Sequence, residues 1–241
     1  MPIPPVLEEL DIAPLDDPPQ SLVSHLIELR RRLIFIFLYL LLGTALCYRW
    51  SGDLLSGLAR NAGGVIFTYP TEAFMVRLKV ALWVGALAAL PLMLHQVWLF
   101  VARALPPELR RSGKFVVPAS YLLFLAGAAA ALLLVVPAAM RVLLAFGSDD
   151  IRPLMTLSGY LDFVTGMTLA FGGVFQLPVA LYLLNRMGWV SRRALAQRRR
   201  YAYLLIFIAA ALLTPGPDMF TQLALALPAG VVFELTLFLL D

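Results

Sequence analysis

The sequence has very few of the side chains that form covalent cross-links or metal centres. Its 241 residues include one cysteine, Cys47, and two histidines, His25 and His95. One cysteine cannot form an internal disulfide, and these residues do not support a cysteine-based or histidine-rich metal site. The sequence also lacks a nucleophile elbow, a P-loop, a dinucleotide-binding fingerprint and a metalloprotease helix. We therefore expect a protein that is not an enzyme and that uses no cofactor.

Charged residues are also scarce. They make up 14% of the chain, whereas 61% is hydrophobic, and the mean hydropathy is +0.85. Soluble domains have roughly a quarter of their residues charged, and a soluble fold of this size could not bury so much apolar surface. The composition predicts an all-α integral membrane protein. The net charge of +4 does not indicate nucleic-acid binding, because the basic residues lie at the ends of apolar segments.

Six apolar segments predict six membrane-spanning helices, since about 20 apolar residues cross a hydrocarbon core of roughly 30 Å. Residues 1–20 are rich in proline and acidic residues and predict a disordered cytoplasmic tail before a membrane domain over 21–241. The fifth segment is short and a tight turn joins it to the sixth, which predicts an antiparallel pair and local thinning of the membrane. The predicted spans are approximately 33–48, 73–101, 115–146, 158–184, 201–213 and 220–240.

The basic residues are distributed unevenly between the two sides of the membrane. Thirteen of the 19 arginines and lysines lie before span 1, after span 2 or after span 4. The positive-inside rule then predicts that both termini are cytoplasmic. The thirteen are Arg30, Arg31, Arg32, Arg103, Arg110, Arg111, Lys114, Arg186, Arg192, Arg193, Arg198, Arg199 and Arg200.

One acidic residue and three arginines precede the first span in "SHLIELRRRLIF". Glu28 lies three residues before Arg31 and four before Arg32, so a local ion pair on the helix surface explains it. Three arginines against one carboxylate leave a net positive cluster, which anionic headgroups could satisfy. Judged from this spacing alone, the ion pair is favoured over a binding role.

Polar side chains inside the apolar segments are further candidate sites, because an unpaired amide is costly in lipid. Gln176 in span 4 is followed by Pro178, and Gln96 in span 2 follows Pro91. The Gln176 amide either lines a polar notch or makes a structural hydrogen bond to another helix, and the pattern does not decide between these. The two Leu-Pro steps favour two proline kinks. Asp218 is predicted to cap the last helix.

Six segments occur in an order and at positions typical of one known family. The string "HLIELRRRL" precedes span 1, and five others follow: "EAFMVRLKVAL", "LPLMLHQVWLFVA", "YLDFVTGMTLAFGGVFQLPVAL", "RRRYAY" and "LLTPGPDMFTQ". Together they resemble the TatC family, the multispanning receptor subunit of the twin-arginine protein translocase. The resemblance covers residues 21–240. Pro91, Tyr160, Pro215 and Asp218 belong to the matching segments.

The resemblance implies a six-helix fold shaped like a cupped hand, in the inner membrane of a prokaryote. It implies a receptor that binds twin-arginine signal peptides and, with TatA/TatB-like single-span subunits, exports folded proteins using the proton-motive force. It also implies a homo- or hetero-oligomer. The partner subunits are expected on spans 5 and 6, and the hydrophobic part of the signal on the concave intramembrane surface.

The resemblance also implies which residues bind the signal peptide. Carried over by motif, they are Glu28 with Arg30 beside it, Glu108 in the first cytoplasmic loop, and Phe100 at the end of span 2. Gln176 corresponds to a position that is often glutamate in the family, so a role that requires titration is not expected there.

The first cytoplasmic loop departs from the family pattern. The family generally has a proline soon after the phenylalanine and a glutamate directly before the arginine, where this chain has Arg103 and Leu109. Glu108 carries the carboxylate one residue earlier, which changes its direction on a helix by about 100°.

The main alternative is a secondary transporter for a small solute. In that case Gln96, Gln176 and Glu234 would line a site at the middle of the membrane. Transporters usually have broken helices and more polar residues at that depth. An intramembrane protease is excluded because no nucleophile with a base is found.

Overall fold

The computed structural model describes residues 22–61, 65–66, 68–146, 155–214, 216 and 218–240. The predicted tail over residues 1–20 and the motif residue Pro215 lie outside these ranges. Most of the described chain is helical. Its α-helices are α1 (Leu22–Cys47), α2 (Ser51–Asn61), α3 (Pro70–Ala104), α4 (Pro107–Arg110), α5 (Gly113–Ala130), α6 (Val136–Leu144), α7 (Leu157–Val174), α8 (Leu177–Arg186), α9 (Arg192–Gln197), α10 (Arg199–Leu213) and α11 (Met219–Leu239).

Five stretches of the described chain are long and apolar enough to cross a membrane. They explain the strongly apolar composition. The short α10 has 15 residues, so it is about 22 Å long at a rise of 1.5 Å per residue. It corresponds to the predicted fifth span. The five stretches are Ser24–Leu58, Pro70–Ala104, Gly113–Leu144, Leu157–Arg186 and Met219–Leu239.

The helices α1 and α3 pack along most of their length and run antiparallel. Their backbones come closest at Gly43 and Gly85, where a Cβ atom on Gly43 would lie 2.5 Å from the Gly85 carbonyl oxygen. Small residues permit such close approach of membrane helices. Because the helices are antiparallel, the first turns of α1 lie beside the last turns of α3.

The helix α7 forms the centre of the bundle. Val164, Met167 and Phe171 are each at most 1% exposed, and they belong to a cluster that also includes residues of α10 and α11. Tyr160 is buried in the same cluster. Close packing of these side chains holds the helices together. The hydrophobic effect does not drive helices together within a bilayer, because the lipid tails are as apolar as the side chains.

The fourth predicted span is one continuous apolar stretch that consists of two helices, α7 and α8. A turn at Phe175 and Gln176 separates them: the Gln176 N–H donates to the Gly173 carbonyl oxygen, three residues back, at 3.0 Å, and Pro178 lies in the first turn of α8. Proline is tolerated in a first turn because the N–H it lacks has no helical partner there. In contrast, α3 continues without interruption through Pro91.

Two loops pair in a way that the all-helical prediction did not include. The strand β1 (Val65–Ile66) pairs in parallel with β2 (Met155–Thr156). Nearby, the Glu72 carboxylate accepts hydrogen bonds from the backbone N–H groups of Thr68 at 2.6 Å and Ser158 at 2.9 Å. These contacts connect the start of α3 to the start of α7.

Candidate functional site

Glu28 is a buried carboxylate in the second turn of α1. Its side chain is only 6% exposed, and Oε1 accepts a hydrogen bond from Nε of Arg32 at 2.6 Å. The ion pair predicted from the i,i+4 spacing is therefore confirmed. Burial distinguishes it from a surface pair, since burying a carboxylate is costly unless it is paired and hydrogen-bonded.

A second guanidinium group reaches the same oxygen from another helix. Nη2 of Arg103, in the last turn of α3, lies 3.2 Å from Oε1 of Glu28. The two residues are 75 positions apart, and they meet because α1 and α3 are antiparallel. The sequence identified Arg103 as a topology-setting arginine and as a departure from the family pattern, and helix spacing could not have found its pairing with Glu28.

Gln96 completes the arrangement from the side of α3. Its Oε1 accepts a hydrogen bond from Nη1 of Arg32 at 2.8 Å, and its Nε2 donates to the Tyr39 hydroxyl at 3.4 Å. Gln96 is 7% exposed. We call Glu28, Arg32, Gln96 and Arg103 the Glu28 cluster, which carries two positive charges and one negative charge.

Phe100 lies at the same end of the helix pair as the Glu28 cluster. Its ring centroid is 4.6 Å from that of His25, with the ring planes tilted by 39°. His25 is one turn before Glu28 on α1, and Phe100 is one turn after Gln96 on α3. The cluster therefore has an aromatic pair beside it, which provides an apolar surface next to a charged one.

The other two predicted binding residues are not part of these contacts. Arg30 is exposed, and its position two residues after Glu28 places it on a different face of α1. Glu108 is exposed in the first turn of α4. Within the ranges that the structure describes, neither residue has a recorded contact with Glu28. Their roles in binding stay predictions.

Gln176 and Pro178 lie at the break between α7 and α8. Nε2 of Gln176 donates a hydrogen bond to the Ser120 carbonyl oxygen of α5 at 2.9 Å. Of the two possibilities left open by the sequence, the structural interhelical hydrogen bond is the one present. Pro178 lines a small apolar cavity of about 300 Å³ between α5, α8 and α11. Gln96 belongs to a different cluster.

Asp218 caps α11, as the sequence predicts. Its Oδ1 accepts a hydrogen bond from the Thr221 N–H at 2.8 Å, and its Oδ2 accepts one from the Thr221 hydroxyl at 2.6 Å. The negative charge also suits the positive end of the helix dipole.

Metal ligation finds no support in the described part of the chain. None of its histidine, cysteine, aspartate and glutamate side chains form a group of three or more that could hold a metal ion. The chemistry available at the Glu28 cluster is the binding of guanidinium or other cationic groups by a carboxylate.

Comparison with known proteins identifies the family. The family model "Sec-independent protein translocase protein (TatC)" matches residues 24–228. The chain belongs to the TatC family. This family provides a membrane component of a protein translocase and is not an enzyme family. Membership and the apolar helices together show a multi-pass membrane protein.

Individual TatC relatives match over nearly the whole chain. The Carboxydothermus hydrogenoformans Sec-independent protein translocase protein TatC is 36% identical, over 93% of this chain and 94% of its own. The Aquifex aeolicus protein of the same name is 31% identical, over 90% and 93%. A crystal structure described as the twin arginine translocase receptor TatC superimposes with a TM-score of 0.80, at 31% identity over 90% of this chain and 99% of that chain.

The hydrogen bond between Gln96 and Arg32 predicts a measurable contribution to stability. We expect Gln96→Leu to lower the free energy of unfolding by about 1.5–3 kcal/mol, because a buried hydrogen bond to a charged group is lost. Gln96→Glu is the matched control, since a carboxylate still accepts from Arg32 and balances the second positive charge. Thermal unfolding of the purified protein in detergent measures the difference. A Gln96→Leu protein as stable as the unmodified chain would contradict the assignment.

Proposed function

We propose that this chain is the receptor subunit of the twin-arginine translocase and that Glu28 binds the paired arginines of signal peptides. The observation that carries the proposal is the buried Glu28 carboxylate, which is already held by two guanidinium groups at one end of α1 and α3. A site with this composition selects for guanidinium chemistry. The family membership supports the same conclusion.

The geometry of an arginine side chain explains how such a site could discriminate. A guanidinium presents a planar fork that can donate two parallel hydrogen bonds to a carboxylate, whereas a lysine ammonium is a strongly hydrated point charge. The low exposure of Glu28 strengthens the pair, since a partly buried ion pair is screened little by salt. A peptide with two lysines would lose this bidentate contact.

Glu108 is the proposed second carboxylate for the paired arginines. It is exposed in α4, four residues after the end of α3 and five residues after Arg103. An exposed ion pair contributes little, at about 0.2–1 kcal/mol. We therefore assign Glu108 a smaller part than Glu28, with Phe100 and Arg30 at the margin of the site.

The proposed partners are TatA/TatB-like single-span subunits, which would contact α10 and α11. Both helices expose large apolar side chains, including Leu205 at 67%, Leu212 at 80% and Phe238 at 73%. Such side chains suit lipid or another apolar helix. Export of folded cargo would draw on the proton-motive force, because the sequence contains no ATP-binding motif. The assembled translocase would contain several subunits.

The proposed topology has six spans with both termini in the cytoplasm of a prokaryotic cell, at the inner membrane. In it α10 is the short fifth span, which would require a locally thinned bilayer. The Glu28 cluster then lies on the cytoplasmic side, where signal peptides arrive. The distribution of the arginines and lysines supports this orientation.

The alternative of a small-solute transporter has less support. Its three expected site residues make separate contacts: Gln96 with Arg32, Gln176 with the backbone of Ser120, and Glu234 elsewhere. The Glu234 carboxylate accepts a hydrogen bond from the Tyr203 hydroxyl at 2.7 Å and pairs with Arg199 at 3.2 Å. These contacts do not form a common site.

Replacement of Glu28 tests the proposed receptor function. We expect Glu28→Gln to weaken binding of a fluorescently labelled twin-arginine signal peptide by at least about tenfold, because a largely buried charged partner is lost. The glutamine can still accept a hydrogen bond from Arg32, so the fold should persist. Fluorescence anisotropy with the purified full-length protein in lipid nanodiscs gives the Kd.

Two controls accompany this measurement. A paired-lysine version of the peptide should bind weakly to the unmodified protein and should be little affected by Glu28→Gln. Glu108→Ala should weaken twin-arginine binding less than Glu28→Gln does. If the unmodified protein binds both peptides equally, or if Glu28→Gln has no effect, the receptor assignment is wrong.

Cysteine labelling tests the six-span topology. In a Cys47→Ser background, Gln197→Cys should react with a membrane-impermeant maleimide only when the cytoplasmic face is accessible. Met219→Cys, at a position 65% exposed beyond the end of α10, should react only from the opposite face. Inverted vesicles expose the cytoplasmic face to the reagent, and right-side-out vesicles expose the opposite face. Labelling of both positions from one side would mean that α10 does not cross the membrane.

A further inference from the structure

We propose that Arg103 is an internal competitor of the signal peptide at Glu28. Its guanidinium holds the carboxylate when no peptide is bound, and an arginine of the incoming peptide must displace it. This inference rests on the proposed receptor function. It follows from the cross-helix contact between Nη2 of Arg103 and Oε1 of Glu28 at 3.2 Å.

The two arginines that contact Glu28 are held differently. Arg32 is 16% exposed, donates to Glu28 at 2.6 Å and donates a second hydrogen bond to Gln96 at 2.8 Å. Arg103 is 42% exposed, and its contact with Glu28 is longer. Arg32 is thus a fixed part of the site. Arg103, on a long flexible side chain with a large solvent-facing fraction, is the one that can leave.

Arg103 also has the same chemistry as the ligand. Its guanidinium satisfies the buried carboxylate of Glu28 in the way that a peptide arginine would, so the empty receptor is not left with a negative charge held by Arg32 alone. One guanidinium is exchanged for another when the peptide binds. The displaced Arg103 then returns to water, where its charge is solvated.

Competition of this kind has a specific thermodynamic signature. It weakens the apparent affinity of every ligand that uses Glu28 by the same factor and leaves their ratio unchanged, because only a fraction of the receptor has a free carboxylate. A partly exposed ion pair implies that removing the competitor strengthens binding by about twofold to fivefold. The gain should vanish when Glu28 itself is replaced.

The test uses Arg103→Met, which keeps the apolar stem and removes the guanidinium. The matched control is Arg111→Met, which removes one positive charge from the nearby end of α4. Arg111 is exposed and has no recorded contact with Glu28 among the described residues. The Kd of a labelled twin-arginine peptide is measured for both variants, and for Arg103→Met in the Glu28→Gln background, with the full-length protein in nanodiscs.

The expected result is tighter binding for Arg103→Met, no comparable gain for Arg111→Met, and no gain in the Glu28→Gln background. Unchanged or weaker binding by Arg103→Met overturns the inference, as does an equal gain from Arg111→Met, which would indicate general charge repulsion. These outcomes leave the receptor function intact if the unmodified protein prefers paired arginines through Glu28. If it shows no such preference, the proposed function fails first.

Discussion

A carboxylate that is almost removed from water must have cationic or hydrogen-bonding partners, and this constraint organises the end of the helix pair where α1 begins and α3 ends. Glu28 receives Arg32 from its own helix and Arg103 from the neighbouring one, while Gln96 holds Arg32 in place. Breaking such a buried pair by removing one partner is costly. The proposed selectivity for a guanidinium ligand follows from the same burial and pairing of Glu28.

The packing of α1 against α3 is what brings these residues together. The close approach at Gly43 and Gly85 fixes how the two helices lie against each other, and because they are antiparallel the contacts follow in order toward the other end of the pair. Arg32 meets Gln96, and then Glu28 meets Arg103. A site at one end of the helix pair thus depends on small residues near the end of α1 on the opposite side.

Sequence reasoning succeeded where the physics is local. Helical spacing predicted the Glu28–Arg32 pair, and the residue type and position of Asp218 predicted a cap. It could not predict the Arg103–Glu28 contact, which joins residues distant in the chain, nor the pairing of Val65–Ile66 with Met155–Thr156. Gln176 showed the same limit, because its partner is a backbone carbonyl on another helix.

The central claim is that the Glu28 carboxylate itself contacts an arginine of the signal peptide. A double-mutant cycle measures this most directly, combining Glu28→Gln with peptides in which the first or the second arginine is replaced by lysine. Direct contact predicts a coupling free energy of about 1–3 kcal/mol for at least one of the two arginines. Effects that add to within about 0.5 kcal/mol at both positions would contradict the claim.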